Sequence, residues 1–188
     1  MRYDKPLLAK VLIAGATGVG KTSLVNSFIF EGFTEVAPTI GVNFAQKVCQ
    51  NDLGSVNLSI WDLSGQPRFQ CLMSRFCQGA AGLVLVFDLS NPTSLDSAGQ
   101  WLTDIVSYNP FPHEFPVVLV GNKLDLSPVV SVEAVQAFCK QNKIHQYLPC
   151  SAKTGENVKR VFTMLCSLMQ RSYLGDISPL ASVTPSST

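Results

Sequence analysis

A chain of 188 residues suits one compact domain, and 46% apolar residues are enough to fill one core. The formal net charge is +1, with no basic or acidic run. That argues against a nucleic-acid groove or a polybasic membrane patch, so no nucleic-acid partner is expected. Six cysteines, at 49, 71, 77, 139, 150 and 166, form no C-x-x-C pair, and His113 and His145 have no ligand-like spacing around them. Reduced, mostly buried thiols of a cytoplasmic protein are expected, rather than a zinc site or a disulfide framework. Residues 1–10 lack the pattern of a signal peptide, and no apolar run approaches a membrane span.

In chain order, Leu7–Ala14 is a short apolar run ended by Gly15, which predicts a buried strand. Leu24, Val25, Phe28 and Ile29 give helical spacing over 22–30. Residues 32–41 are loop-like and contain Pro38. Val42, Phe44 and Val48 outline a strand, and Val56, Leu58 and Ile60 alternate in another. The two pair as a hairpin around 51–54. Further strands are predicted at 80–87, 115–120 and 146–149, and helices at 94–108, 132–140 and 157–173. After Leu174 the composition turns to Ser, Thr and Pro, so 174–188 reads as a disordered tail behind a domain of residues 1–173. Strands alternating with helices predict an α/β fold with a mostly parallel sheet, one antiparallel hairpin strand and helices on both faces. Ligands in such sheets sit at the carboxyl ends of strands, which directs attention to the loops after Ala14, Ile60 and Val120.

The first of these loops reads Gly15-Ala16-Thr17-Gly18-Val19-Gly20-Lys21-Thr22, followed by Ser23. It matches G-x-x-x-x-G-K-[ST] between a strand and a helix. The glycines let successive N–H groups turn onto phosphate oxygens, Lys21 can reach the β- and γ-phosphates, and the Thr22 hydroxyl suits Mg²⁺. Gly15, Thr17, Gly18, Val19, Gly20, Lys21, Thr22 and Ser23 are therefore candidate nucleotide contacts, with Lys21 also a catalytic candidate. By itself the motif indicates a nucleoside triphosphate, without choosing base or reaction.

With Gly121-Asn122-Lys123-Leu124-Asp125 and Ser151-Ala152-Lys153, the chain resembles the Ras superfamily of small GTPases over residues 7–173. The resemblance implies a P-loop GTPase domain that reads guanine through Asn122, Lys123, Asp125, Ser151, Ala152 and Lys153. A carboxylate at Asp125 can accept from both guanine N1–H and N2–H₂, whereas adenine would leave it unpaired. Thr39-Ile40-Gly41-Val42-Asn43-Phe44 and Trp61-Asp62-Leu63-Ser64-Gly65-Gln66-Pro67-Arg68-Phe69 are similar to the switch segments of the Rab branch. By that resemblance Thr39 completes the Mg²⁺ shell, Asp62 holds the ion through water, the Gly65 N–H meets the γ-phosphate and Gln66 orients the attacking water. Phe33 lies edge-on to guanine. Phe44, Trp61 and Phe76 match an aromatic trio offered to effectors, although Phe44 and Trp61 could each face either side of its strand.

The implied function is a monomeric GTP/GDP switch with slow Mg²⁺-dependent hydrolysis, Rab-like regulation of membrane traffic, an exchange factor and an activating protein. The alternative is a nucleotide-clamped binding module with little or no hydrolysis. A P-loop kinase would need a lid and an acceptor pocket in place of switch segments. The chain departs from the family pattern at several positions. Thr17 stands where glycine or another small residue is usual, residues 33–39 run one shorter, Leu63-Ser64 replaces Thr-Ala, and Pro67 replaces glutamate. Residues 175–188 contain no cysteine, so no prenyl anchor and only indirect membrane association are expected.

Overall fold

The computed structural model describes residues 7–33, 36–66, 73–108, 115–144 and 146–174. In chain order the elements are β1 (Leu7–Ala14), α1 (Lys21–Phe30), β2 (Val42–Asn51), β3 (Gly54–Leu63), α2 (Met73–Cys77), β4 (Gly82–Asp88), α3 (Pro92–Tyr108), β5 (Val117–Asn122), α4 (Val132–Gln141), β6 (Gln146–Pro149) and α5 (Val158–Leu174). They build a six-stranded sheet of order β2-β3-β1-β4-β5-β6. Among the described residues, only the β2–β3 pair is antiparallel.

The two-residue period of β1 explains why the sheet lies between two cores. Val11 and Ile13 face a cluster made with α1 and α5, while Leu12 and Ala14 face one made with α2, α3 and α4. A strand covered on both faces needs a continuous apolar run, as Leu7–Ala14 has. On the first side Phe28 of α1 stacks on Phe162 of α5, centroids 3.9 Å apart. Because β1, β3, β4, β5 and β6 run parallel, their carboxyl ends share one edge, and every candidate loop opens there.

Element ends differ from the sequence expectation for local reasons. The third helix begins at Pro92, two residues before the predicted start. Asn91 caps it by accepting from the Thr93 N–H at 3.2 Å, and proline suits the first helical position. The fourth strand begins at Gly82, and the Ala80 N–H before it is taken by the Cys77 carbonyl in a turn. The short helix α2 was not anticipated.

The hairpin is fastened far from that edge. Asn51 accepts from the Leu53 N–H at 2.9 Å, which sets the turn. Its amide donates to Ser167 at 3.0 Å and to Gln170 at 2.8 Å, tying the turn to α5. Asn51→Ala should cost about 2–3 kcal/mol, since a fully buried Gln170 loses its partner. Nucleotide affinity should not move, because the turn lies a strand's length, roughly 30 Å, from the functional edge. Urea denaturation beside nucleotide titration checks both; an unchanged midpoint would remove Asn51 as a fastening.

Candidate nucleotide and metal site

The loop after β1 wraps its own lysine. Lys21 Nζ donates to the carbonyls of Gly15 at 2.9 Å and Ala16 at 2.8 Å, and the side chain is buried. Burial pushes its pKa down to about 8, with the Asp62 carboxylate pulling the other way. Val19 turns its side chain into the core, which leaves its backbone to face the loop. Thr17 and Gly18 are exposed at the tip, and Ser23 is half-buried in the first turn of α1.

Three oxygens from three elements meet beside that lysine. Thr22 Oγ1 lies 2.6 Å from Thr39 Oγ1 and donates to Asp62 Oδ2 at 2.5 Å, and the Thr39 hydroxyl lies 3.4 Å from the same carboxylate oxygen. Asp62 is 2% exposed, and its second oxygen, Oδ1, is buried with no partner among the described residues. Burial pushes this carboxyl up, while the Thr22 hydroxyl, the Lys21 charge and the Thr39 hydroxyl pull it down. A buried orphan carboxylate oxygen within an all-oxygen donor set is what a hard divalent cation requires. The residues therefore fit Mg²⁺.

The segment after β3 rests on the P-loop. A side chain at Gly65 would come within 2.5 Å of the Thr17 nitrogen and 2.6 Å of the Ala16 carbonyl carbon, so only glycine allows this approach. Gln66 follows, half-buried. Pro67, Arg68 and Phe69 lie outside the described residues, as do residues 34–35 of the shortened segment, Cys71, His113, His145 and the 175–188 tail.

At the far end of the edge, β5 ends at Asn122, which is 1% exposed. Its amide donates to the Val19 carbonyl at 2.8 Å, and its Oδ1 accepts from the Ala152 N–H at 3.0 Å. One buried side chain thus joins the P-loop to the loop after β6. Backbone bonds from Leu124 to Cys150 (3.0 Å) and from Cys150 to Gly121 (2.8 Å) lace the same loops together. Ser151 Oγ donates to Asp125 Oδ1 at 2.6 Å, and Lys153 Nζ stands 4.0 Å from Oδ2. Asp125 is therefore aimed by a hydroxyl on one oxygen, with the Lys153 ammonium on the side of the other.

Lys123 pairs with Asp88 at 2.7 Å, a partner that the sequence reading missed. Burial raises the Asp88 carboxyl, but the Lys123 ammonium and the Ser90 donors outweigh it and hold it below the usual range. The readable signal was an aspartate ending an apolar strand at the ligand edge. Phe33 is 45% exposed and, with Lys153, lines a cavity of about 510 Å³ between the end of α1, β2 and the start of α5.

The sequence model of the Ras family matches residues 10–171. The chain belongs to the Ras family. Its relatives place it on the Rab branch of these small GTPases. It is 36% identical to mouse Ras-related protein Rab-7b over 178 residues, which is 93% of this chain and 89% of the relative. It is 40% identical to the GTP-binding protein YPTC5 of Chlamydomonas reinhardtii over 172 residues, 88% and 84% of the two chains. It is 35% identical to human Ras-related protein Rab-7L1 over 179 residues, 93% and 88%.

Phe44, Trp61 and Phe76 come together in this small GTPase. Phe44 and Trp61 are paired directly across β2 and β3, ring edge to face at 4.4 Å, and Phe76 stands 5.9 Å from Trp61. The open question of facing resolves outward for Phe44, which is 61% exposed. Trp61 is half-buried, with Lys10 Nζ 3.7 Å from its ring centre and its indole N–H donated to Ser59 at 3.2 Å. Among the described residues no helix is long and apolar enough to cross a membrane.

Proposed function

We propose that this chain is a GTP/GDP-binding switch that hydrolyses GTP slowly with Mg²⁺ and regulates membrane traffic in the manner of the Rab branch. The observation that carries the reading is the convergence of Thr22, Thr39 and Asp62 beside buried Lys21. Both hydroxyls reach Asp62 Oδ2, and the Oδ1 of the same buried carboxylate is left without a partner among the described residues. Thr22, Thr39 and Asp62 would hold Mg²⁺, which would supply charge neutralisation for the bound phosphates.

The chain's own groups do the rest. The N–H groups of residues 15–22 and the Lys21 ammonium bind the phosphates. Asp125 selects guanine, held by Ser151, with Ala152 and Lys153 closing over the base, while Lys123 and Phe33 flank it. The Gly65 N–H marks the presence of the γ-phosphate. Thr39 follows it inward, and Gln66 orients the attacking water. The trio of Phe44, Trp61 and Phe76 provides the effector surface, and an exchange factor and an activating protein set the two rates.

A second reading, a clamped binding module with little hydrolysis, draws on one contact. The Thr17 backbone lies against Gly65, and Thr17 stands exposed at the tip of the P-loop, where glycine or another small residue is usual. Single-turnover hydrolysis by protein loaded with GTP decides between them. The parent should turn over at about 10⁻⁴ to 10⁻² s⁻¹. Gln66→Leu should fall by about tenfold or more, as expected when a water-positioning group is lost. Thr17→Gly should rise above the parent. A parent no faster than Gln66→Leu would leave the binding module standing instead.

A further inference from the structure

Ser64 is buried, 3% exposed, at the point where β3 gives way to the segment carrying Gly65 and Gln66. Its hydroxyl donates to the Thr39 carbonyl at 2.8 Å, and its N–H donates to the Gly41 carbonyl at 2.9 Å. The same hydroxyl accepts from the Gln66 N–H at 3.3 Å. One residue therefore grips the 39–41 segment twice and the start of the following segment once. Any residue could make the N–H bond to Gly41. The bonds to Thr39 and Gln66 need a hydroxyl, and the usual alanine of the family pattern has none.

We infer that Ser64 is a latch between the two switch segments, a positioning residue that holds Thr39 inward partly independently of the γ-phosphate. The inference rests on the switch reading above. The Thr39 carbonyl is fixed by Ser64 while its hydroxyl is delivered to Thr22 and Asp62. With alanine at 64, what still holds Thr39 among the described residues is the Gly41 bond next to it and the contacts of its hydroxyl with Thr22 and Asp62. The closed arrangement then depends more steeply on what is bound. A net contribution typical of one protein hydrogen bond corresponds to about a fivefold shift in the open-to-closed ratio. Because the latch is internal to the chain, that shift applies to the GDP form as well as the GTP form. The protein therefore keeps its switches closer together after hydrolysis than an alanine-bearing relative does.

Hydrogen exchange by mass spectrometry on the full chain tests this, with Ser64→Ala compared to the parent. Each is loaded with GDP or with a non-hydrolysable GTP analogue in Mg²⁺. Peptides covering 36–44 should exchange about fivefold faster in the variant in both states, while peptides from β4 and β5 keep their rates. The Mg²⁺ concentration that retains half of the bound analogue should rise by a similar factor. A variant that exchanges at the parent's rate in 36–44, or faster everywhere alike, overturns the latch. Bound guanine nucleotide is quantified in the same samples. A parent that retains none overturns the switch reading together with the latch, whereas a loaded variant with unchanged exchange overturns the latch alone.

Discussion

Asp125→Asn should weaken GTP binding by on the order of 10³-fold and let xanthine nucleotides in. The side chain lies at the carboxyl edge of the sheet, with Oδ1 already accepting from Ser151 at 2.6 Å. Its remaining acceptor capacity suits two adjacent donors, and guanine presents two, N1–H and N2–H₂. An amide in the same place turns an N–H₂ toward one of them. A donor then faces a donor, and both lose their partners in a partly dry site, where each unmade bond costs about 1–3 kcal/mol. Xanthine replaces the 2-amino group with an oxygen and keeps N1–H, so it matches the amide as guanine matches the carboxylate. Lys153, 4.0 Å from Oδ2, loses its counter-charge in the variant, but it is exposed and the cost of that is small. Competition of labelled GTP by GTP, XTP and ATP measures the exchange of preference. Equal affinity of the unmutated protein for ATP and GTP would falsify the assignment of Asp125 as the base reader.

The strands were legible because burial on both faces leaves continuous apolar runs, as in Leu7–Ala14 and Gly82–Asp88. Their ends were less so, because they are set by local turns such as the Ala80 N–H on the Cys77 carbonyl. Five residues cannot display a helical period, and that concealed Met73–Cys77. The Asn91-Pro92 start of α3 did carry a cap signal, and the reading began two residues inside it. In the site, the contiguous motif from Gly15 to Thr22 was open to pattern reading, but the back-bonding of Lys21 to the Gly15 and Ala16 carbonyls was not. Nor were contacts that cross the chain to a backbone group. Ser64 reaches the Thr39 carbonyl, and Asn122 reaches Val19 across 103 positions. A carbonyl is the same at every residue, so the recipient leaves no trace in the sequence. The ion pair of Lys123 with Asp88 needs the adjacency of β4 and β5, which only the topology supplies.

Asn122→Ala should lower GTP and GDP affinity by the same factor, on the order of 10²-fold, and leave the preference for guanine intact. In this geometry Asn122 acts as a brace. Its amide nitrogen holds the Val19 carbonyl and its oxygen holds the Ala152 N–H, both buried. Truncation strands both backbone groups at about 1–3 kcal/mol each. The P-loop and the 151–156 loop then lose their common register, and phosphate and base sites no longer sit at the right separation for one ligand. The loss is felt at both ends of the nucleotide, so it cannot favour one base or one phosphate count. Asn122→Asp should be worse than alanine, although it is nearly isosteric. It keeps the acceptor for Ala152 but sets a buried carboxylate against the Val19 carbonyl, where two acceptors repel. A cavity explanation ranks the two variants the other way, because aspartate leaves no void. Calorimetric titration with GDP and a GTP analogue, together with thermal unfolding of both variants, separates these accounts. A larger loss for alanine than for aspartate, or a loss confined to the triphosphate, would show that Asn122 is not a brace between the two loops.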